Sequence, residues 1–198
     1  MTVATTSNNS SKSWRVHYAE TILPFRFILI PLLCIGLWDR IVPNIPTTEP
    51  TIECKIPDLC ESGFAPLDVL NWYEFIGSDG RLLYLGVVAF DLCLLMPLYS
   101  SVLFLELYLA LPDHLSDTIV PCLPWVMTAF DLIETNTHGY ATLMVLLDRR
   151  ELLPSESFLG LVSFCTRAKF MAGGMSFAAI ALFRVLKLLG VWAKPKEE

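Results

Sequence analysis

Charge is what this sequence has least of. Only 17% of its 198 residues are Asp, Glu, Lys or Arg, where a globular domain carries about 25%. The deficit is local, because the three apolar stretches Leu82–Leu111, Pro121–Leu147 and Phe170–Trp192 hold just six charged residues: Asp91, Glu106, Asp131, Glu134, Arg184 and Lys187. Bases are scarcer than acids, 14 against 20, and a net charge of −6 leaves no extended basic surface for a polyanion. Nucleic acid is therefore excluded as a partner. No Cys-x-x-Cys pair occurs, which removes the thiol-redox enzymes and zinc ribbons, and nothing repeats internally. What is abundant is apolar: 54% hydrophobic residues exclude a disordered or collagen-like chain and make an integral membrane protein the leading class.

Crossing the hydrocarbon takes about 20 mostly apolar residues, and four windows meet that length. The first, Ile22–Val42, is interrupted by Arg26, Pro24, Pro31, Asp39 and Arg40; the second is Leu82–Leu111; the third is Pro121–Leu147. The fourth either begins near Phe158, with Ser155 or Ser157 as its cap, or is a shorter span from Phe170, and it ends near Trp192. Backbone in lipid must satisfy its own hydrogen bonds, so segments this apolar are helices. The expected fold is all-α, an antiparallel four-helix transmembrane bundle with a long loop (43–80) between helices 1 and 2. A disordered polar N-terminus (1–20) precedes the membrane domain (21–192), and a charged tail (193–198) follows it.

The long loop holds seven carboxylates and one base, Lys55, whereas Lys12, Arg15, Lys194 and Lys196 lie near the ends. This asymmetry favours a multi-pass protein with both termini cytoplasmic. Against it stand Arg149 and Arg150 after the third span. Cys54 and Cys60 form a candidate disulfide if the loop faces an oxidising compartment; Cys34, Cys93, Cys122 and Cys165 lie in or beside spans as small packing residues.

Ionisable groups inside a membrane cost several kcal/mol each, so every one is a functional-site candidate, with structural pairing as its competitor. Arg81, Tyr84, Asp91 and Tyr99 recur along the second span at helical spacing, and Asp131, Glu134 and His138 share a face of the third. Depth brings them together. Asp91 lies nine residues below Leu82, His138 nine before Leu147, Arg167 nine beyond Phe158 and Lys169 eleven; nine residues are roughly 14 Å of helix. These acids, the histidine and the two bases can thus meet in one polar layer. Glu134 and His138 at i,i+4 have metal-ligand spacing, but an isolated acid/His pair is common by chance, and the sequence designates no metal and no cofactor.

Gly80-Arg81-x-x-Tyr84, Asp91, Pro97-Leu98-Tyr99, Phe130-Asp131-Leu132-Ile133-Glu134 and Thr166-x-x-Lys169 occur in that order. The set resembles a group of small uncharacterised four-span membrane proteins, mainly bacterial, over about Asp68 to Lys187. Those relatives usually carry Asn directly after the glutamate; here Thr135 takes that place and Asn136 follows. The resemblance implies the four-span fold and the location of the site, and no activity. Three functions fit: binding or transport of a small or lipid-like ligand at an intramembrane polar site, a non-catalytic structural subunit of a membrane complex, or a lipid-modifying enzyme using acid/base chemistry. Expected partners are membrane lipids and other membrane proteins.

Overall fold

The computed structural model describes residues 56–116 and 118–191. Among them all regular structure is helical. A 3-10 turn at Pro57–Leu59 leads to α1 (Pro66–Phe75), α2 (Gly77–Phe90), a π turn (Asp91–Leu95), α3 (Met96–Ala110) and the short α4 (Asp113–Ser116); α5 (Leu123–Leu146) and α6 (Glu156–Leu188) follow, entered through 3-10 turns at Val120–Cys122 and Arg150–Leu152. The first predicted span, the polar N-terminus, the charged tail, Cys34 and Cys54 lie outside the described residues.

From Gly77 to Ala110 the chain runs as one 34-residue helix, and this helix and the 33-residue α6 are long and apolar enough to cross a membrane. α5 has 24 residues, about 36 Å of helix. Its Thr, Asn, Asp, Glu and His content makes it less apolar than the other two. A four-helix transmembrane bundle is therefore a proposal that goes beyond the two membrane-capable helices.

Within the long helix the π turn has a local cause. Pro97 has no N–H and its ring crowds the carbonyl four residues back, so the ladder widens just before it, and the Met96 N–H reaches the Asp91 carbonyl five residues away. At the far end of the chain, Ser155 caps α6, its hydroxyl accepting from the Phe158 N–H at 3.3 Å.

The loop expected over 43–80 is corrected in its second half, which is helical. Pro66 pre-sets the first turn of α1, Asp68 favours the positive end of its dipole, and Val69, Trp72 and Tyr73 form a buried stripe. That stripe is too short to read as a span. Gly77, at φ +65°, breaks α1 from α2. The Arg81 guanidinium then closes the end of α1, donating to the Tyr73 carbonyl at 2.9 Å and the Glu74 carbonyl at 3.2 Å.

α5 is central, packed against α2, α3 and α6, while α1 lies on α5 and α6. Gly139 lets α5 approach α2 closely, since a Cβ there would sit 2.8 Å from Val88 Cγ1. The burial pattern is inverted relative to a water-soluble bundle. Thr128, Asp131, Glu134, Thr135, His138 and Thr142 of α5 are buried, whereas Phe164, Met171 and Phe177 of α6 are 58–69% exposed. An apolar core lies at the first-loop end, where Ile56, Phe64, Trp72 and Tyr73 pack with Tyr84, Val145, Leu159 and Val162.

Candidate functional site

α5 builds the site because His138, Glu134, Asp131 and Thr128 recur at steps of four and three and so share one buried face. The neighbours complete a connected set. Thr166 Oγ1 of α6 donates to Glu134 Oε1 at 2.6 Å, and Lys169, one turn on, places its Nζ 2.7 Å from Glu134 Oε2 and 2.9 Å from Asp131 Oδ1. The Tyr99 hydroxyl of α3 donates to Asp131 Oδ2. Deeper still, the Ser100 and Thr128 hydroxyls bond across α3 and α5, and Arg184 of α6 pairs with Glu106 of α3. A polar column therefore follows the helix axes.

Toward the first loop the column ends under aromatic rings. His138 Nδ1 shares a hydrogen bond with the Tyr73 hydroxyl, and the Phe64 ring stands edge-on with centroids 5.2 Å apart. Tyr73 stays a neutral phenol, because burial first, then the Asp58 and Glu134 carboxylates, hold its pKa well above the ordinary value. His138 Nε2 has no hydrogen-bond partner among the described residues and lies 3.9 Å from Glu134 Oε1. Asp58, from the 3-10 turn, accepts the Tyr84 hydroxyl at Oδ2, while its buried Oδ1 has no partner. Asp58, Glu134 and His138 each bring a ligand-type atom within 4.8 Å of the others. This end of the column can hold a proton, a cation or a small polar molecule.

The structure joins Tyr99, Asp131, Glu134, His138 and Lys169 in one layer. Asp91 stands beside it, accepting from Thr135 Oγ1 at 3.3 Å, and Tyr84 joins it through Asp58. Two predicted members lie elsewhere. Arg81 caps α1, and Arg167 is exposed against Gly63, where a Cβ would fall 2.5 Å from its Nε. Residues two apart on a helix are about 200° apart around its axis, so Arg167 and Lys169 cannot face the same layer despite similar depth.

No family model, curated protein or solved structure matches this chain. Its function has to be read from the site itself. Asp58 and Tyr73 are the members that sequence reasoning missed: one is a single acid among seven in the first loop, the other one aromatic of a Trp-Tyr pair. The available signal was the Cys54/Cys60 bracket, which encloses Asp58. Cys60 is buried and disulfide-bonded; Cys93, Cys122 and Cys165 are free. Thr166 was visible only as part of Thr166-x-x-Lys169. Thr135 donates to Asp91 Oδ2 at 3.3 Å, whereas the exposed Asn136 donates back to its own helix at the Leu132 carbonyl, 2.7 Å away.

Proposed function

We propose that this is a multi-pass membrane protein that binds a small ligand at an intramembrane polar site beneath its first loop. One observation carries the reading: the polar face of α5 is buried, and its fully buried His138 and the Asp58 carboxylate of the 3-10 turn each keep a polar atom without a partner among the described residues, while apolar side chains cover the outside. In water the exposed Phe, Leu and Met faces would associate; in lipid they are the solvated side. The resemblance to four-span proteins agrees, and the acidic first loop agrees with both termini being cytoplasmic.

The competing reading is a structural subunit whose charges only lock helices, and the pairing of Lys169 with both Asp131 and Glu134 favours it. Native mass spectrometry of the full chain released from lipid nanodiscs separates the two. Binding predicts a retained small molecule or ion in the parent, absent from Asp58→Asn and His138→Ala variants that keep their helical circular dichroism. A parent at its bare mass, with Lys169→Met unfolding far more easily, would leave the structural reading.

A further inference from the structure

This inference rests on the binding reading above and names the chemistry of the ligand. Two elements, the 3-10 turn before α1 and the buried face of α5, converge so that Asp58, Glu134 and His138 offer ligand atoms within 4.8 Å of one another. His138 is 0% exposed, and its Nε2 reaches no hydrogen-bond partner among the described residues. Asp58 Oδ1 is likewise buried and unpartnered. Native structures rarely leave such atoms unsatisfied, so two of them on side chains that converge in this way call for a group that satisfies both.

Charge points the same way. Among the described residues Asp58, Asp91, Asp131 and Glu134 gather around one lysine, and Lys169 lies against Asp131 and Glu134 only. Asp58 is left with a phenol. Two buried and two half-buried carboxylates beside one lysine are costly unless a cation joins them or protons neutralise them, and the unpartnered imidazole nitrogen among them favours a metal.

The orientation of the imidazole fits as well. A ligating histidine is usually fixed through its second ring nitrogen, which sets the tautomer. With Nδ1–H donated to the Tyr73 oxygen, the Nε2 lone pair is left for a ligand, 3.9 Å from Glu134 Oε1.

We propose that Asp58, Glu134 and His138 bind one divalent transition-metal cation. Zinc suits two carboxylate oxygens and one imidazole nitrogen in a small site, whereas calcium takes six or more oxygens. Donors about 2.0–2.2 Å from a tetrahedral zinc lie roughly 3.3–3.6 Å apart, so the set closes by about 1 Å around the ion. Glu134 turns from Lys169 toward the metal, and Lys169 keeps Asp131. Three protein ligands leave a fourth position for water or a further small ligand.

The test uses the full chain in detergent, purified on a histidine-free tag, stripped with chelator and titrated with Zn2+ by calorimetry, with metal counted by elemental mass spectrometry. One Zn2+ per chain is expected, and bound Co2+ should give the visible absorption of a low-coordinate site. Asp58→Asn and His138→Ala should each weaken binding by about 100-fold or more, and Tyr73→Phe by about 10- to 100-fold. Glu151→Gln, an exposed change in the connection between α5 and α6, should bind normally. Should His138→Ala fail to fold, Asp58→Asn and Tyr73→Phe decide, since neither changes the size of the residue appreciably. A parent chain that takes up no Zn2+ or Co2+, or uptake unchanged in both of those variants, overturns the metal site. If metal is absent but nanodisc mass spectrometry still finds a small molecule lost in Asp58→Asn, only this inference falls; a parent bare of both overturns the binding reading too.

Discussion

Lys169 touches Asp131 at 2.9 Å and Glu134 at 2.7 Å, with its own side chain only 12% exposed. Removing that cation leaves two buried carboxylates facing each other, and breaking a buried pair from one side costs about 3–5 kcal/mol. Lys169→Met should therefore lower stability by that order in detergent unfolding, and Asp131→Asn added to it should restore part of the loss, a coupling that a double-mutant cycle reads directly. Additive effects would show that the contact carries no such weight. Asp91 makes a different case. From the sequence it is the first choice, because it sits mid-span among apolar neighbours, yet its contact in the structure is a hydroxyl 3.3 Å away. Asp91→Asn should cost less than about 1 kcal/mol, since Thr135 can still donate to the amide oxygen. Depth was legible from residue counts; azimuth was not, because it depends on how helices rotate against one another. That is why Glu134 and His138 lie together in the layer while Arg167, at similar depth, faces Gly63.

At the scale of elements, the long helices were readable because mostly apolar stretches of more than twenty residues admit few alternatives. The Leu82–Leu111 window corresponds to the helix Gly77–Ala110, and Pro121–Leu147 to Leu123–Leu146. The segment 56–76 was not readable, because its stability comes from docking rather than from a periodic run. Gly63 shows how tight that docking is. Its φ is +77°, and a Cβ there would fall 2.5 Å from both Ser163 Oγ and Arg167 Nε of α6, while the next N–H, of Phe64, donates to Ser163 Oγ at 2.8 Å. Gly63→Ala should cost about 1–3 kcal/mol through backbone strain and contact. Because the same segment carries Asp58, the change should also speed proteolysis of the first loop before α5 or α6 opens. Simultaneous cleavage throughout would mean that the segment is not a separately docked unit. Ser155→Ala, by contrast, removes one cap and should cost about 1 kcal/mol.

For the whole molecule, the arginines that argued against an outward first loop have acidic company. Arg150 pairs with Glu74 of α1 at 2.8 Å, and Arg149 lies 3.7 Å from Glu151. The Arg150–Glu74 contact also ties the α5–α6 connection to the end of α1, so those two segments share one end of the helices. The 34-residue helix leads away from that end, and α5 returns to it, which puts the turn around Thr118 at the opposite end. The proposed membrane orientation then has a direct consequence for single cysteines introduced at Ser62, Asp148 and Thr118, all three exposed. In sealed vesicles an impermeant maleimide should label Ser62→Cys and Asp148→Cys together, severalfold above the parent chain's own labelling, and should reach Thr118→Cys only after permeabilisation, or the reverse in inverted vesicles. Equal access to Thr118 and Ser62 from one side would mean that these helices do not cross the bilayer. The polar column would then lie along a membrane surface, and an intramembrane site would no longer explain its burial.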